Sequence, residues 1–376
     1  MDIIYLDNSA TTKIKTEVLN EMMPYLTTEY GNASSLYSVG RKAKKAIEKA
    51  RGQVAKLINC NPHEIYFTGS GSESDNTALK GFAYANKEKG NHIITSKIEH
   101  HAILETCETL ERQGFEVSYI NVDENGVIKV EELENAIRPS TILISVMTAN
   151  NEIGTIQPIE EISRIAHSRN IVFHTDAVQA IGNMSIDVGK MGIDMLSLSG
   201  HKINAPKGIG ALYIKNGVKV EKYINGGHQE RNQRAGTENV AGIVGLGKAC
   251  ELSNKNMDTH IRNLRKLRDY YLTKLQKEMP QKIRINGSME NRLPGNANVS
   301  FEGVDASELI FKLDEKGICV SSGSACSSGN TTPSHVLTAI NVPEQYLNSA
   351  IRTTFGDSNT FEQVDYLVKV IKNLVK

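Results

Sequence analysis

Residues 171–202 read IVFHTDAVQAIGNMSIDVGKMGIDMLSLSGHK and contain two short apolar runs, Ile171–Thr175 and Met195–Ser199. Each run has the length of a buried strand and gives way to polar residues, Asp176 after the first and Gly-His-Lys202 after the second. In an open α/β sheet, catalytic groups collect where the strands end at their carboxyl edge. The stretch therefore predicts two strands of such a sheet with a polar site at their ends.

Runs of the same kind occur on both sides of this stretch, at Glu64–Thr68, His92–Ser96, Val117–Val122, Thr141–Met147 and Gly210–Ile214. Helical stretches lie between most of them, at Ser72–Lys89, His101–Gln113, Val130–Arg138 and Ile159–Arg169. A further surface helix is expected at Arg41–Ile58, where apolar residues recur at helical spacing among basic ones. This alternation predicts an α/β domain with a mostly parallel, seven-stranded sheet flanked by helices.

The pattern changes after about Gly247. A long charged helical stretch, roughly Asn256–Met279, is followed by segments rich in glycine and asparagine and by a few short strands. We therefore predict a large domain at residues 13–255 and a smaller α+β domain formed by residues 1–12 with residues 256–376.

Composition excludes several classes of function. The 376 residues carry 43 basic and 43 acidic side chains, which gives no electrostatic reason to expect a nucleic acid or an anionic membrane as partner. The first ten residues lack the basic start and apolar run of a signal peptide, so a cytoplasmic protein is expected. The five cysteines show no C-x-x-C spacing, so neither a disulfide framework nor a zinc site is indicated.

A glycine-rich turn follows the first run, at Thr68-Gly-Ser-Gly-Ser-Glu-Ser-Asp-Asn76. A turn that opens into a helix offers backbone N–H groups and a positive dipole end to a phosphate. It matches neither the P-loop nor the dinucleotide fingerprint, so a tight connection without a ligand is the alternative.

Later runs lead to further polar clusters, Glu99-His100-His101, Asn150-Asn151-Glu152, and Asp176 with Gln179. A carboxylate at a strand end is often only a helix cap. His100 and His101 could bind a metal together with Glu105, but no third histidine or cysteine lies nearby to complete such a site.

The position of Lys202 in the sequence suggests a catalytic role. It follows a buried run beside Ser199 and His201, and a proline and a glycine then turn the chain. A lysine is usually solvated at the surface, but one in this position can be desolvated enough to act as an amine nucleophile or base.

Two arginine-containing segments could bind anions. Gly226–Asn239 mixes glycines with Arg231, Arg234 and Thr237, and a solvated charged loop is the alternative. Arg352 lies in an otherwise apolar strand pattern, where its guanidinium could clamp a substrate carboxylate or could simply face solvent.

Cys326 differs from the other cysteines in its surroundings. The segment Ser321–Gly329 contains only serine, glycine and alanine apart from this thiol, so it cannot pack as core and predicts an exposed, flexible loop. Free cysteines are usually buried and inert, which is expected for the other four. An accessible thiol can be reactive as its thiolate.

Together these motifs resemble the cysteine desulfurases of the NifS/IscS-like group, within the class V aminotransferase family of fold-type I pyridoxal-phosphate enzymes. The resemblance spans nearly the whole chain, and its motifs follow in order: Tyr5–Thr12, Ser74–Asn76, Glu99–His101, Asn150–Gly154, His174–Gln179, Ser199–Lys202, Arg234–Asn239 and Ser321–Gly329.

The resemblance implies roles for these residues around pyridoxal 5'-phosphate. Lys202 would hold the cofactor as a Schiff base and shuttle the substrate's α-proton. Asp176 would pair with the ring nitrogen, His100 would stack on the ring, and Gln179 would hydrogen-bond its phenolic oxygen. The phosphate would be held by Gly71, Ser72, Ser199 and His201.

The resemblance also implies a substrate site and partners. Arg352, helped by Asn151 beside the cofactor, would bind the carboxylate of L-cysteine. Thr237 would reach the phosphate of the neighbouring subunit, which implies a homodimer. No metal, membrane or direct nucleic-acid contact is implied.

The implied activity is removal of sulfur from L-cysteine, which leaves L-alanine and a persulfide on Cys326. The sulfur would pass to an acceptor protein, such as an iron–sulfur scaffold or a thiolation enzyme. A selenocysteine lyase or an aminotransferase on the same fold is the alternative, although transamination needs no thiol. A non-catalytic scaffold is disfavoured by Lys202, Asp176 and Arg352, and a dinucleotide-binding protein by the lack of G-x-G-x-x-G after a strand.

Overall fold

A computed structural model describes residues 3–322 and 333–375. Its strands, numbered in chain order, are β1 (Ile4–Tyr5), β2 (Ile65–Thr68), β3 (His92–Ser96), β4 (Glu116–Ile120), β5 (Thr141–Ser145), β6 (Val172–Asp176), β7 (Met195–Ser199), β8 (Gly210–Ile214), β9 (Ile283–Ile285), β10 (Asn296–Phe301), β11 (Ile318–Cys319) and β12 (Ala350–Thr354). Its helices are α1 (Thr16–Thr27), α2 (Ser38–Ile58), α3 (Gly71–Asn76), α4 (Phe82–Asn86), α5 (His101–Glu111), α6 (Val130–Asn135), α7 (Ile159–Ser168), α8 (Gln229–Asn232), α9 (Val240–Glu278), α10 (Ala306–Asp314), α11 (His335–Ala339), α12 (Glu344–Leu347) and α13 (Phe361–Leu374).

The central sheet has seven strands in the order β2-β8-β7-β6-β5-β3-β4. Strands β4, β3, β5, β6 and β7 run parallel to their neighbours within that group, whereas β8 is antiparallel to both β7 and β2. The predicted α/β class and the mostly parallel seven-stranded sheet are therefore confirmed. Because parallel strands end at the same edge, the polar residues that follow them meet there.

Both faces of this sheet are buried except along the edge strand β4, most of which is only partly buried. Successive side chains of a strand point to opposite faces, and Ile93 packs into one hydrophobic cluster while Ile94 packs into another. Met195 and Leu196 are divided in the same way. This explains why the strands appear in the sequence as continuous apolar runs rather than as alternating patterns.

The long helix α9 begins earlier than the sequence indicates. The predicted start near Asn256 is wrong, because the helix runs from Val240 to Glu278. Its first turns contain buried glycines that hide the apolar periodicity: a Cβ on Gly247 would lie 2.6 Å from the Ala50 Cα of α2, and one on Gly245 would lie 2.7 Å from a methionine sulfur on α1. These glycines let α9 pack closely against α1 and α2. No helix in residues 3–322 or 333–375 is long and apolar enough to cross a membrane.

A second group of elements packs around a separate core. A three-stranded sheet, in the order β12-β10-β9, and the parallel pair β1·β11 lie with α10, α13 and the second half of α9. Residues from both ends of the chain contribute, since Leu6, Phe301 and Ile371 share this core. The boundary expected at residue 255 lies inside α9, and the division into two domains stays a prediction.

Candidate active site

Most of the site residues expected from the sequence line one cavity of about 270 Å³ at the carboxyl edge of the central sheet. Those found there are Gly71, Ser72, His100, Asn151, Asp176, Gln179, Ser199, His201, Lys202 and Arg352. They come from the turns that follow different strands and, for Arg352, from β12 of the smaller sheet. The fold therefore assembles polar groups that are up to 281 positions apart, from Gly71 to Arg352.

Lys202 ends a short 3₁₀ turn, Gly200–Lys202, directly after β7. Its Nζ donates hydrogen bonds to the carbonyl oxygens of Ser9 and Ala10, the latter at 2.8 Å. Gln179 Nε2 donates to the same Ser9 oxygen at 3.1 Å. The N-terminal segment thus holds the lysine amine at the cavity wall.

Asp176 is the last residue of β6 and is 5% exposed. Its Oδ1 accepts a hydrogen bond from the backbone N–H of Val178 at 2.8 Å. Burial raises the pKa of the Asp176 carboxyl to about 6, while that hydrogen bond and the Lys202 charge act in the opposite direction. A cationic group placed beside this carboxyl would be stabilised by it.

Two further buried carboxyls surround Asp176. Burial and the Asp176 charge raise the pKa of Asp75, and burial raises the pKa of Glu99 to about 8 against hydrogen bonds from Ser96 and the backbone of Met147. Asp75 Oδ1 is buried and has no hydrogen-bond partner. Neutral acids at Asp75 and Glu99 leave Asp176 as the anion of this group.

His100 is held as a neutral donor. The backbone N–H of Ala102 donates to His100 Nδ1 at 3.1 Å, so the ring proton of the neutral form lies on Nε2. Burial and the nearby Lys202 charge lower the pKa of His100 to about 4. At neutral pH the ring is therefore uncharged, which suits stacking on an aromatic ligand.

The glycine-rich turn closes one end of the cavity. A Cβ on Gly71 would lie 2.7 Å from Val178 Cγ2 and 3.4 Å from Ser199 Cβ, so only glycine permits this approach. Ser72, Ser199 and His201 place hydroxyl and imidazole groups at that end. The cluster supplies neutral hydrogen-bond donors to an anion, since burial and Lys202 lower the pKa of His201 to about 4.

Arg352 belongs to β12, is 2% exposed and lines the cavity. Its Nη2 pairs with Asp7 Oδ1 at 2.7 Å, and its Nη1 donates to the Asn151 carbonyl oxygen at 3.1 Å. The possibility that Arg352 faces solvent is therefore wrong. Asn151 contacts the guanidinium through its backbone.

Among the expected site residues that the structure describes, Thr237 is not in this cavity. Thr237 lines a separate surface pocket with Tyr25, Leu26 and Tyr30. Cys326 and most of its loop lie outside the described residues. In the loop before Thr237, Arg234 pairs with Glu73 at 2.9 Å, and Arg231 donates to backbone carbonyls at His63 and Ile65. These arginines stabilise the loop and do not reach the cavity.

The other four cysteines are poor nucleophiles. Cys107 and Cys250 are buried as expected, whereas Cys60 and Cys319 are half-buried, so the expectation of full burial is wrong for that pair. Burial raises the pKa of all four thiols, to about 12 for Cys60 and Cys250.

Sequence reasoning assigned no role to several groups that the fold brings to the site. Ser9 and Ala10 hold Lys202, Asp7 pairs with Arg352, and His335 lines the cavity with its Nε2 3.0 Å from the Glu99 carbonyl oxygen. The motif Tyr5–Thr12 was the available signal for the first three. Within the described ranges, no group of three or more histidine, cysteine, aspartate or glutamate side chains is arranged to hold a metal ion.

Comparison with known proteins shows the family to which the chain belongs. Residues 4–367 match the family profile described as Aminotransferase class-V. The chain belongs to the class V aminotransferase family. It is 53% identical to the protein named cysteine desulfurase IscS of Clostridium botulinum over 375 residues, which cover 99% of this chain and 94% of that protein.

Solved structures match this chain over nearly its whole length. A structure described as a NifS-like protein superposes with a TM-score of 0.93 at 39% identity and covers 99% of each chain. A structure of SspA in complex with cysteine has a TM-score of 0.81 at 37% identity, covering 95% of this chain and all of that one.

The cofactor of this class V family is pyridoxal 5'-phosphate, and the cavity fits it. The buried carboxyl of Asp176 would suit the ring nitrogen and the amine of Lys202 would suit the aldehyde, while Gly71 leaves room for a phosphate beside the hydroxyl and imidazole groups at that end. Asp75, whose buried Oδ1 has no hydrogen-bond partner, also lines the cavity and adds a polar atom to it.

Proposed function

We propose that this protein is a cysteine desulfurase, which moves the sulfur of L-cysteine onto Cys326 and releases L-alanine. The observation that carries the proposal is one cavity that joins an amine, Lys202, a buried carboxylate, Asp176, and a buried guanidinium, Arg352. The relatives named as cysteine desulfurases and the cysteine complex of SspA support the choice of substrate.

In this proposal the cofactor withdraws electrons from the α-carbon of the amino acid when it is bound. Asp176 would hold the ring nitrogen in its protonated form, and neutral His100 would pack on the ring. Gln179 Nε2 would donate to the phenolic oxygen. The phosphate would be held by Gly71, Ser72, Ser199 and His201.

Arg352 and Asn151 bind and orient the substrate carboxylate, which directs the α-hydrogen toward Lys202. The Nζ of Lys202 accepts the α-proton and later returns one to the product. The low pKa of His100 makes its ring a weak base, and its neutral Nε2–H can only donate. Lys202 is therefore the base of this pair.

Cys326 then takes the sulfur. Its thiolate attacks the sulfur of the substrate, an S–S bond forms, and the carbon–sulfur bond of the substrate breaks. The carbon fragment keeps the electron pair and is protonated to L-alanine, so no external oxidant or reductant is needed. The raised pKa of each of the other four thiols leaves Cys326 as the favoured nucleophile.

A homodimer is part of the proposal. Apolar side chains of α1 and the following segment are exposed, including Leu26 at 58%, Tyr30 at 80% and Leu36 at 88%. An exposed apolar patch of this kind is typical of a protein interface. Thr237 lies beside this patch and does not line the cavity of its own subunit. This position suits contact with a phosphate bound by the partner subunit.

Transfer of the sulfur to an acceptor, an iron–sulfur scaffold or a thiolation enzyme, stays a prediction, and so does a cytoplasmic location.

The activity is tested by incubating the holoenzyme with L-cysteine and measuring L-alanine and the mass of the peptide that contains Cys326. We expect alanine to form and one sulfur atom to be added to that peptide. Cys326→Ser should keep the visible absorbance of the cofactor and lose sulfide release in the presence of a thiol reductant. Lys202→Ala should lose turnover.

Cys60→Ser is the matched control, since the raised pKa of this thiol makes it inert, and it should leave both readouts unchanged. Undiminished sulfide release by Cys326→Ser would reject the persulfide step. Full turnover by Lys202→Ala would reject the role of the amine.

A further inference from the structure

The N-terminal segment Asp7–Thr12 contacts both sides of the cavity. At its start, Asp7 Oδ1 pairs with Arg352 Nη2 at 2.7 Å. Two residues later, the carbonyl oxygen of Ser9 accepts from Lys202 Nζ. The group that would bind the substrate carboxylate and the amine that would take its α-proton are thus held by one short stretch of backbone.

One end of the segment is fastened to β12 and the other to the turn that follows β7. Asn8 Nδ2 donates to the Thr354 carbonyl oxygen at 2.8 Å, and the Ser9 N–H donates to Thr354 Oγ1 at 2.9 Å. At the other end, the Thr12 N–H donates to the His201 carbonyl oxygen at 2.9 Å. Thr354 belongs to β12, which carries Arg352, and His201 precedes Lys202. The segment therefore sets the spacing between the two elements.

The Arg352 guanidinium needs a fixed partner. It is 2% exposed, and a buried cation is costly unless an anion and hydrogen bonds compensate it. Asp7 supplies the anion, and its side chain is itself only 14% exposed. Asn151 supplies a carbonyl oxygen at 3.1 Å. Both Nη atoms of the guanidinium therefore have a fixed partner, and these two contacts determine the orientation of the guanidinium plane.

Asp7 does not line the cavity, although Ser9, Ala10 and Arg352 do. Its carboxylate therefore contacts the guanidinium from outside the space that the amino acid would occupy. A planar guanidinium held in this way can offer a fixed pair of N–H directions to a second carboxylate. An unheld arginine side chain would have to be ordered when substrate binds, at a cost in affinity.

We propose that Asp7 is a positioning residue for amino-acid binding, which orients the Arg352 guanidinium toward the substrate carboxylate in register with the amine of Lys202. This inference rests on the proposed function for the identity of the substrate. It extends that function to the motif Tyr5–Thr12. Asp7 acts through Arg352 and touches neither substrate nor cofactor.

The test compares Asp7→Ala and Asp7→Asn with the wild-type holoenzyme. Asp7→Ala removes both the charge and the acceptor atom, so we expect the KM for L-cysteine to rise at least about tenfold, because truncating one partner of a buried charge pair is costly. The kcat should change less than about threefold, since the chemistry of Lys202 is retained once substrate is bound. Asp7→Asn keeps an acceptor oxygen for Arg352 Nη2 and should give an intermediate KM.

Formate provides a readout that a general structural role would not move. It can occupy the space of the missing carboxylate in Asp7→Ala, so we expect added formate to lower the KM of this variant toward that of the wild type. Formate should not improve Arg352→Ala, in which the guanidinium itself is missing. Asp258→Ala, an exposed aspartate of α9, is the matched control and should leave KM and kcat unchanged.

An unchanged KM in Asp7→Ala would overturn the proposal. A fall in kcat with unchanged KM, or an equal loss in Asp7→Ala and Asp7→Asn that formate does not reverse, would overturn it as well. If Asp7→Ala does not fold, the KM of Asp7→Asn decides, and a value equal to that of the wild type rejects the role. Failure of the wild type to form alanine from L-cysteine would reject the proposed function alone; the role of Asp7 is then judged by titrating L-alanine into the same holoenzymes and following the cofactor absorbance.

Discussion

Replacing Asp176 by asparagine should stabilise the apoprotein while it weakens cofactor binding. Asparagine has nearly the same shape, and its Oδ1 can still accept the hydrogen bond from the Val178 N–H, which Asp176 accepts at 2.8 Å. The change removes a carboxyl that is buried among other acids. Burial raises its pKa from 3.8 to about 6.

The effect of pH on the free energy of unfolding follows from the protonation of Asp176 in the folded and the unfolded protein. Below about pH 4 both the folded and the unfolded protein hold the proton, so the carboxyl carries no penalty. Between about pH 4 and pH 6 the unfolded chain ionises first, so the free energy of unfolding falls as pH rises. Above about pH 6 both forms are ionised and the penalty stays constant, at about 3 kcal/mol for two pKa units.

The assay is urea denaturation of apoprotein at about pH 4 and about pH 8, with the wild type and Asp176→Asn compared at each pH so that titrating groups not coupled to Asp176 cancel. Asp75 and Glu99 are coupled to it, and both are mainly neutral because burial raises their pKa. We expect Asp176→Asn to be more stable than the wild type by about 3 kcal/mol at the higher pH and nearly equal at the lower. Asp258→Asn, at an exposed position of α9, should show no difference at either pH.

The same variant should bind pyridoxal 5'-phosphate more weakly, which absorbance titration measures. A stability difference that is the same at both pH values would refute the reasoning about burial. A less stable variant at about pH 8 would refute it too, because the carboxylate would then contribute favourably to folding.

Two further predictions concern assembly and the core. Leu26→Glu, in the exposed apolar patch, should shift the protein from dimer to monomer in analytical ultracentrifugation, whereas Phe311→Glu, equally exposed on α10, should not; a dimer that persists in Leu26→Glu would count against this interface. Glu230→Ala should lower the free energy of unfolding by about 3–5 kcal/mol in urea denaturation, because it leaves the buried Arg51 guanidinium without its carboxylate, whose Oε2 lies 2.7 Å from Arg51 Nη1. Glu48→Ala, which removes the exposed partner of Arg51, should cost about 1 kcal/mol or less, and an equal loss in both variants would contradict the argument.

Most strands of the central sheet were predictable because their side chains are buried on both faces of the sheet. His92–Ser96, Met195–Ser199 and Gly210–Ile214 match the apolar runs at both ends, and the other strands differ by a few residues. Local composition suffices when every residue of a strand faces a core. The early start of α9 was not predictable, because Gly245 and Gly247 have poor helix propensity and are favoured only by the close approach of α1 and α2.

The site was predictable to the extent that its residues follow strands. Lys202 and Asp176 come directly after β7 and β6, and parallel strands bring their ends together without further information. Arg352 needed the tertiary structure, since an arginine in a strand pattern can face either solvent or a cavity. Its burial is decided by β12 pairing with β10 and by the carboxylate of Asp7, which lies 345 positions away in the chain.

The reactive groups, and the order of the strands and helices that carry them, can be read from the sequence because apolar runs and the polar residues at their ends are local properties. The protonation and orientation of those groups depend on the folded structure. The pKa of Asp176 and of His100 depends on burial and on neighbours such as Lys202, and the Arg352 guanidinium is oriented by Asp7. Desolvation and charge act through space, so no local stretch of sequence contains them.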